Sequence, residues 1–134
     1  MALRFLGKDT NSVGGDSPTV YATDHDTFII QGWVADDPDL RAKAALEPDQ
    51  DVVEIPFNLF GHFAKDGLSG IVTNWSPPVV HVTERQTCFI RGSRVTDPET
   101  LVTMDMPGHE SCVEVPRAAV AALLQEEGHG VHHV

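Results

Sequence analysis

Apolar and polar residues alternate in two pairs of short segments, one pair in each half of the chain. Residues 20–23 and 28–34 form the first pair, and residues 79–82 and 88–95 form the second. Each segment is rich in β-branched and aromatic residues, and a short polar stretch separates the two members of each pair. This pattern predicts one β-hairpin in each half of the chain.

A third strand and then a helix are predicted after each hairpin. Residues 52–55 and 112–115 alternate, so that Glu54 and Glu114 point away from their apolar neighbours. A proline follows each of these strands, and proline is favoured in the first turn of a helix. The next apolar residues have the spacing of one helical stripe: Leu59, Phe60, Phe63 and Ala64 in the first half, and Ala119, Val120, Leu123 and Leu124 in the second.

Glycines and Asp-Pro pairs mark further boundaries. Gly67 and Gly128 stand where they would end the two helices. Asp37 precedes a proline and predicts the start of a short helix that runs to about residue 46. Asp97 also precedes a proline, but more β-branched residues follow it, so that only a turn is predicted there.

The two halves are related in sequence. Between residues 27 and 56, eight of thirty positions are identical to the residue sixty positions later, where composition alone would give on the order of two. The offset is 59 in the first strand, at Val20 and Val79, which places one extra residue in the turn of the second hairpin. The chain is therefore interpreted as a tandem duplication.

The duplication predicts an α+β fold in which two tandem β-β-β-α repeats pack as one pseudo-twofold domain with antiparallel sheets. A single repeat of this size would bury only about 60% of its surface, so each copy needs the other. The predicted boundaries are an N-terminal extension (1–16), repeat 1 (17–67), a linker (68–75), repeat 2 (76–127) and a histidine-containing tail (128–134).

Several residues are candidates for the contact between the repeats. Gly32 and Gly92 interrupt the second strand at the same place, which predicts a bulge or a close approach of two backbones. Trp33 and Trp75 are candidates for the seam between the repeats. Alternatively, Trp33 is an exposed anchor for a partner protein.

Composition adds a strongly acidic surface to this picture. The 134 residues contain 20 acidic and 9 basic side chains, a net charge of −11. This balance argues against a nucleic-acid interface, because such interfaces collect Lys and Arg. The acidic surface either keeps the protein soluble or binds a basic protein partner. The sequence has neither a membrane-spanning apolar run nor a leader peptide, which favours a cytoplasmic location.

No residue set predicts a catalytic site, a metal site or a cofactor. Cys88 and Cys112 lie in strand-like segments and are interpreted as small core residues. Glu54 and Glu114 are either an acid–base pair or parts of solvated strand faces. The tail contains His129, His132 and His133, without a recognised metal-ligand spacing.

A groove between the repeats is the candidate place for a ligand. Gln31 and Val34 of the first copy become Arg91 and Arg94 in the second, so the second copy has gained positive charge that would suit an anion. The candidate ligand-binding residues are Trp33, Arg91, Arg94, His81, His109 and Glu114.

The residues 1–9 (MALRFLGKD), 17–20 (SPTV) and 30–33 (IQGW), together with the Asp-Pro pair at 37–38, resemble short uncharacterised actinobacterial proteins. Those proteins carry one copy of this unit and are typically encoded beside helix-turn-helix regulators. The order of elements also resembles that of the BldB-like family of actinobacterial developmental regulators. The second copy departs from the pattern, because Gly92 is followed by serine rather than tryptophan. The resemblance implies a cytoplasmic accessory protein with a protein partner, and it transfers no active site.

Two functions follow as hypotheses. The first is a non-enzymatic protein-interaction or regulatory protein whose acidic surface binds a protein partner, such as a helix-turn-helix regulator. The second is a small-molecule-binding protein or small enzyme with a pocket between the repeats. A deep pocket lined by convergent polar side chains would favour the second, and flat acidic faces would favour the first.

Overall fold

The computed structural model of the chain describes residues 1–8, 18–68, 70–72, 75–106 and 108–125. These residues form nine strands, three α-helices and one 3₁₀ helix. The strands are β1 (Leu3–Lys8), β2 (Thr19–Thr23), β3 (Thr27–Val34), β4 (Gln50–Pro56), β5 (Ile71–Val72), β6 (Val79–Val82), β7 (Thr87–Arg94), β8 (Glu110–Pro116) and β9 (Leu124–Gln125). The helices are α1 (Pro38–Ala44), the 3₁₀ helix (Phe57–Asp66), α2 (Pro98–Met104) and α3 (Arg117–Leu123).

The fold is α+β, as predicted, and its main element is an antiparallel sheet of seven strands. The strand order is β1-β2-β3-β4-β7-β6, and β8 pairs with both β3 and β7. Strands β5 and β9 form a separate two-stranded ladder. The two predicted hairpins are present as β2–β3 and β6–β7.

Strands β4 and β8 form most of their hydrogen bonds with the hairpin of the other half of the chain. Strand β8 pairs along β3, from Thr27 opposite Pro116 to Trp33 opposite Glu110. Strand β4 pairs along β7, from Pro56 opposite Thr87 to Gln50 opposite Ser93. Each strand meets its own half only at short ladders, β3 with β4 and β7 with β8.

A helix stands between the second and third strands of each half, which corrects the predicted order β-β-β-α. The expected short helix α1 ends at Ala44, and the Oδ1 atom of Asp37 accepts its capping hydrogen bond from the N–H of Asp39 at 3.0 Å. Helix α2 forms where only a turn was predicted. Thr100 and Met104 are buried, and Met104 packs with Ile29 of β3 and Cys112 of β8, so tertiary burial outweighs the weak helix propensity of the β-branched residues of α2.

The extra residue of the second half lies in a strand rather than in the turn. Both hairpin turns have the same length, and the Thr23–Thr27 and Thr83–Thr87 hydroxyl pairs are each 2.7 Å apart. The register of β6 against β7 shifts instead between Val79 and His81. The insertion is therefore an irregularity in β6 at Val80, of the kind by which sheets accommodate one residue without changing a turn.

The main core lies on one face of the sheet, under the 3₁₀ helix and α3. Strand alternation sends Phe28 and Ile30 into this core and Ile29 to the opposite face. Two smaller clusters occupy that opposite face. One contains Ile29, Val95, Met104 and Cys112 beside α2, and the other contains Ala35, Leu40 and Val52 beside α1.

The two predicted terminal helices differ in detail from expectation. Gly67 ends the 3₁₀ helix with φ 87°, as predicted. Because this helix has three residues per turn, Phe60 and Phe63 align on the buried side while Ala64 turns outward and is exposed. Helix α3 ends at Leu123, before the predicted stop at Gly128, which lies outside the described residues. Leu124 and Gln125 leave the helix to pair with β5.

The predicted extension and linker both contribute strands. Within the extension, β1 pairs antiparallel with β2 and becomes one edge of the large sheet. Within the linker, β5 pairs with β9. Trp75 packs beside the 3₁₀ helix, with its ring centroid 4.9 Å from that of Phe57, and it remains 41% exposed.

Candidate functional site

The six candidate ligand-binding residues do not converge on one site. Arg91 and Glu114 line a cavity of about 360 Å³ near the junction of β7 and β8. His81 lines a different cavity, of about 320 Å³, beside α1. Trp33 is half-buried in β3, while Arg94 and His109 are exposed. The structure therefore divides the set among separate places.

The candidate arginines are already held by the protein. Arg91 donates from Nη1 to the carbonyl oxygen of Ala44 at 2.9 Å. Arg94 donates from Nη2 to the carbonyl oxygen of Gln50 at 3.1 Å, and its Nη1 lies 3.8 Å from a carboxylate oxygen of Asp51. Arg91 thus donates to the last residue of α1, and Arg94 donates to the first residue of β4.

Glu114 and Glu54 each bind a threonine from the opposite hairpin. The hydroxyl of Thr27 donates to Glu114 Oε2 at 2.6 Å, and the hydroxyl of Thr87 donates to Glu54 Oε2 at 2.6 Å. Both glutamates are half-buried. These hydrogen bonds tie β8 to β3 and β4 to β7, so the carboxylates have a structural task at these positions.

His109 lies next to a buried carboxylate. Its Nε2 atom is 3.5 Å from Glu110 Oε2. Glu110 is buried in the sheet and accepts a hydrogen bond from Gln31 Nε2 at 2.6 Å. Two buried oxygens of this group, Gln31 Oε1 and Glu110 Oε2, have no hydrogen-bond partner. The His109 contact has ion-pair distance without hydrogen-bond geometry.

Both cysteines are core residues. Burial, with a smaller contribution from the charge of Glu54, raises the pKa of Cys88 to about 12. Burial and the charge of Asp51 likewise raise the pKa of Cys112 to about 12. A nucleophilic or metal-binding cysteine needs a lowered pKa instead. His109 is exposed, whereas Cys112 is buried in the cluster beside α2.

Metal-binding clusters are also absent from the part of the chain that the structure describes: no three His, Cys, Asp or Glu side chains are grouped to hold an ion. The histidines of the tail, His129, His132 and His133, lie outside the described residues.

A groove lies between α1 and the β6–β7 hairpin, and it is here called the α1 groove. Its floor is formed by Leu40 and Phe89, and the ring of His81 lies 5.9 Å from that of Phe89. Charged groups stand around this apolar floor. The lining residues are Asp37, Asp39, Leu40, Lys43, His81, Thr83, Arg85 and Phe89.

Sequence reasoning identified only His81 among the lining residues of the α1 groove. The Asp-Pro signal located α1 correctly, but it gave no information on which strand the helix would contact. The remaining residues come from α1 and from the second hairpin, which are more than thirty residues apart in sequence. Only the pairing of β4 with β7 brings them together.

The surface around α1 is acidic. Five exposed carboxylates lie on this helix or on the loops that flank it, and we call them the α1 acidic face: Asp36, Asp37, Asp39, Glu47 and Asp49. Arg41 lies in the same helix, but it is half-buried and pairs with Asp51 at 3.0 Å. The exposed Lys43 lines the groove itself.

Comparison with known proteins gave no match, whether to family models, to curated proteins or to solved structures. Among the described helices, none has the length and apolar character needed to cross a bilayer.

Proposed function

We propose that this protein is a non-enzymatic interaction protein that binds a basic protein partner through the α1 acidic face. The observation that carries the proposal is the distribution of charge. The carboxylates of this face are exposed, whereas exposed cations such as Arg4, Arg85 and Arg94 are engaged with acidic or carbonyl groups. The five carboxylates outnumber the one exposed cation of α1, Lys43, so the field around this helix is negative and would steer and orient a positively charged partner.

The internal duplication is part of this proposal. The ladders of β3 with β8 and of β7 with β4 have the same register when residue numbers are shifted by sixty. The short ladders support the same relation, because Trp33 opposite Glu54 corresponds to Ser93 opposite Glu114. We infer two repeats that exchange their third strands about a pseudo-twofold axis. On this view a fused dimer has gained different surfaces on its two halves.

The partner class follows from the charge and from the resemblance of the sequence to proteins encoded beside helix-turn-helix regulators. A DNA-binding regulator carries a basic surface for phosphate, and an acidic protein can cover that surface. The protein would then act as a cytoplasmic accessory factor that modulates such a regulator.

A comparison of two charge-neutralised variants tests this function. Tagged protein is used to recover partners from cells that express it naturally, and the recovered complex is titrated with salt. The test variant carries Asp36→Asn, Glu47→Gln and Asp49→Asn. The control variant removes the same charge elsewhere, with Asp26→Asn, Glu99→Gln and Asp105→Asn.

The proposal expects a basic partner whose binding weakens with salt and is reduced several-fold in the test variant but not in the control. Recovery of no specific partner, or equal losses in both variants, would contradict it.

A second candidate function rests on the cavity that Arg91 and Glu114 share. Its volume of about 360 Å³ is at the lower end of the usual range for small-ligand sites, roughly 300–1,000 Å³. Calorimetric titration with citrate, as a small polyanion, tests it: saturable binding that is lost in Arg91→Gln would favour ligand binding over the acidic-face function.

A further inference from the structure

The two edges of the large sheet differ in a way that concerns binding. At one edge, β1 lies along β2, with Leu3 opposite Thr23, Arg4 opposite Ala22 and Phe5 opposite Tyr21. At the other edge, β6 pairs only with β7 among the described residues. Strands β2 and β6 are the first strands of their hairpins. Among the described residues, the edge that β1 covers on β2 therefore has no covering strand on β6.

Strand β1 does more than extend the sheet. Met1 and Leu3 pack against the cluster beside α2, next to Tyr21 and Ile29. The N-terminal ammonium group lies 3.6 Å from Asp97 Oδ2 at the start of the same helix. An extended segment with a cationic end therefore fills the space between α2 and the first hairpin.

The α1 groove is the corresponding space in the other half. His81 and Phe89 occupy the positions of Tyr21 and Ile29, and Asp37 occupies that of Asp97, under the shift of sixty residues. No segment comparable to β1 lies there in the described part of the chain. Exposure on this face differs accordingly, because Tyr21 beside β1 is half-buried while His81 in the groove is exposed.

The carboxylates of the two spaces are bound by different donors. The hydroxyl of Thr100 donates to Asp97 Oδ2 at 2.5 Å. Asp37 instead accepts the capping N–H of Asp39 on Oδ1 at 3.0 Å, and Leu40, at the position equivalent to Thr100, has no hydroxyl to donate. A cationic group is the natural partner for a carboxylate that has lost such a donor.

The backbone of β6 is oriented to accept a strand. The N–H of Thr83 donates inward to the carbonyl oxygen of Thr87 at 2.9 Å. Because successive residues of a strand alternate, the N–H and carbonyl of Val82 point to the outer edge. The irregularity at Val80 confines regular addition to the part of β6 near Thr83.

We propose that the outer edge of β6 and the α1 groove bind an extended peptide of another protein by strand addition, in the manner in which β1 occupies the edge of β2. The peptide runs antiparallel to β6, places an apolar side chain over Leu40 and Phe89, and brings a cationic group to Asp37. This inference deepens the proposed function and rests on it. The groove adjoins the α1 acidic face, so the partner would need an extended segment that fits the groove as well as positive charge.

The probe is a synthetic peptide with the sequence of residues 1–6, labelled at its C-terminus, and binding is followed by fluorescence polarisation. The full chain should bind this peptide saturably. Val82→Pro removes the outward N–H and should lower the affinity at least about tenfold. Val82→Thr keeps the N–H and should leave the affinity unchanged within about twofold.

Two aspartate variants separate the proposed site from displacement of β1. Asp37→Asn retains a good helix cap and should lower the affinity by roughly two- to fivefold. Asp97→Asn should have no effect. Acetylation of the peptide amine should lower the affinity for the unaltered protein by the same two- to fivefold. It should not lower the affinity for Asp37→Asn any further. The aspartate variants and the acetylated peptide still test the site if circular dichroism shows that Val82→Pro does not fold.

The proposal is overturned if the peptide fails to bind, if Val82→Pro binds it normally, or if Asp97→Asn weakens binding in place of Asp37→Asn. Light scattering that finds a dimer abolished by Val82→Pro would assign the edge to a second copy and would also overturn it. If the peptide binds but no basic partner is recovered from cells, the peptide site stands and the proposed function is rejected. If a basic partner is recovered and binds Val82→Pro normally, the proposed function stands and the peptide site is rejected.

Discussion

The α-carbon of Gly32 lies so close to the carbonyl oxygen of Glu54 that a Cβ atom at this position would overlap it. Gly92 has the same relation to the carbonyl oxygen of Glu114, at 2.6 Å from the position of a Cβ. At these two points β3 crosses close to β4, and β7 crosses close to β8. The close backbone approach predicted for both glycines is confirmed.

Alanine at either glycine should therefore destabilise the fold. We expect Gly32→Ala and Gly92→Ala to lower the free energy of unfolding by about 1–3 kcal/mol each, because the obstructing atoms belong to backbone and strand side chains that cannot move aside cheaply. Gly61→Ala is the matched control, since a Cβ there meets nothing within 4 Å. Urea denaturation measures all three, and an unchanged midpoint for Gly32→Ala would contradict the crossing.

The buried Glu110–Gln31 pair offers a substitution that should stabilise the protein. Glu110→Gln removes a buried charge and supplies a donor for the unpartnered Gln31 Oε1. The expected gain is about 1 kcal/mol in the free energy of unfolding at pH 7. Gln31→Glu is the reciprocal variant and should be strongly destabilising, because it places two carboxylates together in the core. A loss of stability in Glu110→Gln would show that the His109 contact outweighs the buried charge.

Asp66 links the N-terminal strand to helix α3 and should make stability depend on acid. Burial raises the pKa of Asp66, but hydrogen bonds from Arg117 and Arg4 outweigh it and hold the pKa below 3.8, its usual value. The carboxylate thus stabilises the fold above pH 3.8, and this contribution is lost as the pH falls through its lower folded-state pKa.

Asp66→Asn should accordingly be less stable than the unaltered protein at pH 7 and lose less stability between pH 7 and pH 3. Thermal unfolding at a series of pH values measures this, with Asp49→Asn as the control at an exposed carboxylate. Parallel pH profiles for Asp66→Asn and the unaltered protein would contradict the role of Asp66.

Neither thiol should react in the folded protein. With a pKa of about 12 for Cys88 and Cys112, only about one thiol in ten thousand would be ionised at pH 8, even before burial restricts access. Labelling with a chromogenic disulfide should be negligible without denaturant and should reach both cysteines after unfolding in guanidinium. Rapid labelling of the native protein would show that a thiol is exposed.

Local sequence signals identified most of the individual elements. Alternation located both hairpins and the third strands, and the Asp-Pro pair located the start of α1, because these patterns act over a few residues. They failed where packing outweighed them. Helix α2 formed around buried Thr100 and Met104, and the three-residue turn of the 3₁₀ helix exposed Ala64.

The amino-acid sequence by itself determined where strands, turns and most helix starts lie, because side-chain periodicity and backbone preference are local properties. Only the tertiary structure decided that β4 pairs with β7 and β8 with β3, since any two apolar strands offer one another the same backbone donors and acceptors. In the resulting sheet, His81 lies in the groove beside α1, whereas Arg91 and Glu114 line a separate cavity. Among the described residues, β6 pairs with β7 alone.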